Sequence, residues 1–378
     1  MRLLVRITCF AVCALFLVVT AQAAEIKIGV AAALTGPVAK YGVPIKNGFT
    51  LAAEEINASG GINGNRIKLV VEDEQAKKEE AINVFKKFIF QDKVLAIFGP
   101  TLSNSAFASD PFANERKTVV FGTSNTAEGI TAIGPYVFRN SIAEADILPI
   151  VIKAATKKLG LKKVAIIYGN DDSMTKSSYD VFLRAVNEQK LQVLTTETFA
   201  KGDIDYSAQL TKIKSLNPDA VVCAALVEEA SNIILQARKL GLPDKVKFIG
   251  GNGFNSPKLI EIAGKAAEGS ISGSPWFLDD PSKKNQAFVS AYTKKYGLAP
   301  DQFAAQAYDA LYIMAEGIKA IKISGNLEKD RTALRDALGK VKNFKGVGGP
   351  FSFNESRDAE QKGRVLSVNK GKFAIFAE

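Results

Sequence analysis

The 378-residue chain carries 49 Lys and Arg against 39 Asp and Glu, a formal charge of +10, with 47% hydrophobic and 23% charged residues. That composition excludes a disordered or fibrous protein, and the length exceeds one compact core and suits two domains. Histidine is absent, which excludes Ser/His and Cys/His nucleophilic machinery and removes the commonest transition-metal ligand.

Residues 1–24 stand apart from the rest. Arg2 and Arg6 precede an apolar run from Ile7 to Val19, and small residues follow at Ala21, Ala23 and Ala24. This is the three-part pattern of a secretory signal peptide, cleaved after Ala23 or Ala24. The run is shorter than the roughly 20 residues a membrane span needs. Cys13 lies inside it with no small residue just before, which speaks against a lipoprotein. Cleavage takes Cys9, Cys13 and two positive charges away and leaves Cys223, in an apolar run, as a buried inert thiol. The mature chain is expected to be exported and soluble. Its lysines are scattered over helix faces rather than clustered with aromatics, so nucleic acid is not an expected partner.

From Glu25 onward, short β-branched runs alternate with longer amphipathic ones. Residues 26–33, 66–74, 94–99 and 118–122 read as strands, and 42–60, 77–93 and 103–117 as the helices between them. The rhythm restarts after Ala143, with strands at 162–169, 191–199, 219–226 and 245–251 and helical stretches at 177–190 and 228–241. Such alternation predicts an α/β protein of two units in tandem, each a parallel sheet covered by helices.

Gly36, Gly99, Gly122, Gly169 and Gly250 sit at or just beyond the ends of apolar runs. Ligands of open α/β sheets bind outside the carboxyl ends of strands, where backbone amides and helix N-termini gather. Thr35, Ser103, Ser105, Ser124 and Thr126 follow those strand ends in the first unit. Each alone reads as a helix cap, but together they make neutral donors suited to a carboxylate. Catalytic alternatives are weak. Ser173 to Lys176 reads SMTK but lacks the companion motifs Ser-Asp-Asn and Lys-Thr-Gly. The glycines at 250–253 and 346–349 lack dinucleotide spacing, and no phosphate-binding loop occurs. Asp171 with Asp172, and Glu228 with Glu229, read as solvated or capping pairs. Binding without turnover, and no cofactor or metal, is the expectation.

The residues IGVAAALTGPVAKYG, EINASGGINGNRI, GPTLS, YGND, AYDALYIMAEGI and GGPFSFNESRD carry a resemblance over essentially the whole mature chain. It resembles a periplasmic solute-binding protein of the branched-chain amino-acid (leucine/isoleucine/valine-binding) type of ABC transporters. The resemblance implies a type I periplasmic binding protein, with two Rossmann-like lobes joined by a three-crossover hinge. One lobe would comprise residues 25–142 and 276–350, the other 143–275 and 351–378, with crossings near Ser141, Pro275 and Phe351. The ligand carboxylate would be held by Ser103, with Ser124 and Thr126 one strand later. Tyr41 would lie against the ligand.

In the second lobe the pattern departs. Asn252 stands where the family commonly has an acid for the ligand ammonium, and Ser173 and Leu226 stand where aromatics are expected. Glu228 or Asp172 would have to substitute, while Trp276 and Phe277 would add ring surfaces. A hydrophobic or aromatic carboxylate is therefore expected, with a branched-chain amino acid close behind. The resemblance also implies an inner-membrane ABC permease as partner, a monomer and a periplasmic location. A ligand-sensing receptor or regulator on the same fold is the alternative.

Overall fold

The computed structural model describes residues 25–377; the expected export signal lies outside the described residues. Five strands form the first sheet: β1 (Glu25–Ala32), β2 (Arg66–Asp73), β3 (Ala96–Phe98), β4 (Val119–Gly122) and β5 (Val137–Arg139). They run parallel in the order β2-β1-β3-β4-β5, with Ile28 of β1 opposite both Leu69 and Ala96. The middle strands β3 and β4 are buried throughout, as central strands of a sheet covered on both faces must be. The intervening helices are α1 (Ala39–Ala58), α2 (Lys78–Lys86) and α3 (Ser103–Glu115).

The chain then enters a second sheet through α4 (Glu144–Leu159), β6 (Lys163–Gly169), α5 (Ser173–Glu188), β7 (Gln192–Phe199) and α6 (Ser207–Ser215). It continues through β8 (Ala220–Ala224), α7 (Val227–Lys239), β9 (Lys247–Gly250), α8 (Pro257–Ala263) and β10 (Ile271–Ser274). From there it returns to the first unit with α9 (Lys283–Tyr296), α10 (Gln302–Lys319) and α11 (Leu327–Leu338). The α10 helix packs its Phe303, Ala307 and Leu311 face beside Phe49 and Ile45 of α1 in one core.

A small antiparallel sheet follows, of β11 (Phe344–Gly346), β12 (Gly349–Phe353) and β13 (Ala359–Gln361). It is pinned to the first unit by Phe353, whose ring lies 5.5 Å from Phe121 and 5.2 Å from Phe138. Phe351, the crossing expected from the sequence, is held inside this hairpin, paired with Phe344 and Gln361. The chain reaches the second sheet only at β14 (Arg364–Asn369) and β15 (Lys372–Ala377). These two join it antiparallel, giving the order β15-β14-β10-β9-β8-β6-β7. Among the described residues no helix is long and apolar enough to cross a membrane.

Candidate ligand-binding site

The carboxyl ends of the parallel strands in the two sheets face one another across a narrow cavity. Thr101, Leu102 and Ser103 follow β3, and Ser124 and Thr126 follow β4. From the other side come Met174 after β6, Leu226 after β8, and Asn252 and Gly253 after β9. Tyr41 from the first turns of α1 and Phe303 from the start of α10 complete the wall.

Tyr41 owes its place to a close approach. A Cβ on Gly42 would stand 1.9 Å from the Ala33 carbonyl oxygen, so only glycine lets α1 start against the end of β1. The Tyr41 ring is then edge-on to Phe303 at 4.8 Å, and its hydroxyl accepts from Val227 N at 2.7 Å. The same hydroxyl faces the Gly253 carbonyl at 3.5 Å, and burial holds its pKa far above the ordinary phenol value. Tyr41 thus joins wall and closure contact in one side chain.

The two turns of the first unit are stitched together. Ser124 Oγ donates to Thr101 O at 2.7 Å, and Asn125 Nδ2 donates to Pro100 O at 2.9 Å. Ser103 Oγ accepts from Ala127 N at 3.4 Å. The α3 helix has no side-chain cap, so the amides of its first turn face the cavity end with no helical acceptor. Thr126 Oγ1 donates to Glu144 Oε1 at 3.0 Å.

Glu144 is the residue that sequence reasoning did not single out. It is fully buried at the start of α4, where Oε1 also takes Asn252 N at 3.3 Å and Oε2 has no hydrogen-bond partner. Burial pushes its carboxyl up to about 7, against the opposing pull of Thr126, Asn252 and Arg139. A first-turn acid before an apolar run is favoured by the helix dipole anyway, so its sequence signal is that of any helix start.

Six of the seven candidate residues therefore come together: Tyr41, Ser103, Ser124, Thr126, Leu226 and Asn252. Ser173 does not line the cavity. Its amide donates to Asn104 Oδ1 at 2.8 Å, and the next residue, Met174, supplies the wall instead. Thr35 and Ser105 are occupied elsewhere, Thr35 by Asp73 at 2.6 Å and Ser105 by Glu74 at 3.2 Å. Neither expected substitute acid is free: Glu228 pairs with Lys40, and Asp172 caps α5 while accepting from Asn104 at 2.7 Å. Trp276 and Phe277 face a different groove, and Phe303 is the added ring.

Several contacts join the two units around this cavity. Besides Tyr41, they include Asn104 with Asp172, Lys40 with Glu228, and Arg184 with Glu128 at 2.8 Å. Gln302 Nε2 donates to Asn252 Oδ1 at 2.7 Å. The arrangement is a closed clam with its jaws hydrogen-bonded.

The chain matches the Periplasmic binding protein family over residues 25–372. It belongs to that family. Its members are solute-binding proteins, and a cavity between two closing lobes is the arrangement such a role requires. A leucine-, isoleucine-, valine-, threonine- and alanine-binding protein of Pseudomonas aeruginosa is 28% identical over 335 residues, covering 88% of this chain and 87% of its own. A branched-chain amino acid transporter substrate-binding protein from Streptococcus pneumoniae, solved with isoleucine, is 31% identical with a TM-score of 0.85. That match covers 92% of this chain and 97% of the other. An ABC-transporter solute-binding protein from R. palustris, solved with benzoate, is 25% identical with a TM-score of 0.84, covering 93% and 95%.

The Lys40–Glu228 pair of this periplasmic binding protein joins one unit to the other. Glu228 is half exposed, so the pair is worth at most about 1 kcal/mol. Lys40→Ala should speed ligand release by no more than about fivefold, and the effect should fade in high salt. Stopped-flow dissociation at two ionic strengths checks this.

Proposed function

We propose that this chain captures a hydrophobic α-amino acid of the leucine, isoleucine and valine kind between its lobes and delivers it, as a periplasmic monomer, to an inner-membrane ABC permease. The lobes are residues 25–142 with 276 onward, and 143–275 with the C-terminal strands, closing about the passages between them.

One observation carries the reading: the cavity's three hydroxyls differ in whether their protons are already used. Ser103 accepts from Ala127 N, so its proton is free for a ligand carboxylate beside the uncapped α3 terminus. Thr126 spends its proton on Glu144, and Ser124 spends its own on Thr101 O. A hydroxyl donates once, so these two offer only lone pairs and suit a donor such as an ammonium. On this reading Thr126 meets the ligand amine rather than the carboxylate that the resemblance assigned to it. Behind it, Glu144 supplies the negative charge that a buried ammonium needs. Leu102, Met174, Leu226 and the Tyr41 and Phe303 rings enclose the apolar side chain.

A second reading rests on a specific feature: no charged side chain lines the cavity itself. That favours a carboxylate lacking the amine, of the kind found in the benzoate-bound relative. Titration calorimetry of leucine against 4-methyl-2-oxopentanoate separates the two. Tighter leucine binding supports the amino acid; tighter oxo-acid binding supports the second reading. Ser103→Ala should weaken either ligand about tenfold to a hundredfold, the worth of one hydrogen bond to a charged group, with unfolding unchanged. Wild-type affinity in that variant would remove Ser103 from the carboxylate end.

A further inference from the structure

A second, roomier groove of about 420 Å³ adjoins the ligand cleft. Its walls come from both lobes: Ile260 of α8 and Phe373 of β15 on one side, Trp276, Phe277 and Pro300 on the other. The charged groups around it are Asp279, Asp301, Glu261 and Lys372. Lys258 pairs with Glu261, which leaves two acids against one lysine in an otherwise aromatic and aliphatic surround.

We propose that this groove is a second binding site, for a hydrophobic organic cation such as an arylalkylammonium ion. Aromatic faces attract cations through their ring quadrupoles, and desolvation strengthens the effect. Asp301, more than nine-tenths buried, lines the groove and caps α10 through Ala304 N at 2.9 Å. Burial pushes its carboxyl up to about 7, and a cation beside it would draw that value back down.

The groove is wired to the cleft. Gln302 lines the groove, accepts from Asn255 Nδ2 at 2.7 Å, and holds the side chain of Asn252, which lines the cleft. Phe303, the next residue, is part of the cleft wall. An occupant touching both lobes here biases their closure, and linkage makes the bias reciprocal.

Trp276 is the single tryptophan of the chain, so its fluorescence reports occupancy directly. Titration with 2-phenylethylammonium should give a saturable change, and the uncharged 2-phenylethanol should bind about tenfold more weakly. The change should vanish in Ile260→Arg and weaken severalfold in Asp301→Asn, whose side chain still caps α10. No saturable change in the wild type, equal binding of the alcohol, or an intact signal in Ile260→Arg overturns the proposal. Saturating phenylethylammonium should also shift the leucine dissociation constant, and leucine should shift that of the amine by the same factor; equal constants overturn the coupling. This coupling arm alone rests on the amino-acid reading of the cleft. If leucine does not bind, that reading fails by itself, and the Trp276 titration still judges the groove.

Discussion

Glu144→Gln should weaken leucine binding about tenfold to a hundredfold while leaving 4-methyl-2-oxopentanoate nearly unaffected. The glutamine keeps a side-chain oxygen for Thr126 and Asn252 but removes the charge that, on the proposed reading, stands behind Thr126. The same carboxyl makes affinity depend on pH. In the unliganded protein burial raises it to about 7, and an adjacent ammonium would pull it down again. Leucine binding therefore releases a proton below about pH 7, and affinity climbs by up to tenfold per unit as pH rises toward that value. Arg139 is the cation that faces this carboxyl. Calorimetry in buffers of different ionisation enthalpy would detect the proton. A leucine affinity that is flat from about pH 5 to 8, or an equal loss for both ligands in Glu144→Gln, would remove Glu144 from recognition.

Stability of the unliganded protein runs the other way. Glu144, Asp301 and Asp309 all have folded-state values raised by burial, to about 7, 7 and 6. Each prefers its protonated form in the folded chain, so the stability it contributes is complete below the ordinary carboxylate range. It is lost as pH rises through about 6 to 7. Thermal midpoints without ligand should fall from about pH 5 to 7.5, and leucine should oppose the fall by pairing its ammonium with the ionised Glu144.

The alternation of buried runs and amphipathic helices was legible because central strands cannot be polar on either face. β3, β4 and β8 fall inside the apolar stretches that announce them. The turns after β3 and β4 were legible for the same reason, since a parallel sheet places its ligands at those ends. What stayed hidden depended on distant chain. Phe303 meets Tyr41 only because α10 packs along α1, and nothing local to either residue encodes that. Trp276 stands next to a crossing in sequence, yet its side chain turns toward α9, where Nε1 donates to Asn285 at 2.6 Å. A partner for a ligand ammonium was sought among residues flanking the second-lobe strands, whereas Glu144, the acid proposed for it, sits where the chain first leaves the first lobe. There it reaches the turns of both lobes at once.

Arg139→Met should cost about 3–5 kcal/mol of folding stability, because it strands a set of buried partners that only a guanidinium satisfies. Arg139 is 2% exposed, and its Nη1 donates to Asn125 O at 2.9 Å and Ala127 O at 2.7 Å. Its Nε bonds Asp358, which also accepts from Thr131 at 3.0 Å. One side chain thus fixes the turn that carries Thr126 and ties the small β11–β13 sheet to the first lobe. Methionine fills similar volume but leaves Asp358 half-buried without its cation and Ala127 O without its side-chain donor, while Asn125 O keeps only Ser141 Oγ at 2.9 Å. The denaturant midpoint should drop with an unchanged slope, and leucine affinity should fall because the Asn125–Ala127 turn loses its anchor. Adding Asp358→Leu to Arg139→Met should recover part of the lost stability, since removing both charges relieves the unpaired carboxylate. It should not recover affinity, because the Ala127 carbonyl beside Thr126 remains unheld. Restoration of both together would mean that Arg139 acts on the ligand site only through Asp358, and that the turn needs no anchor of its own.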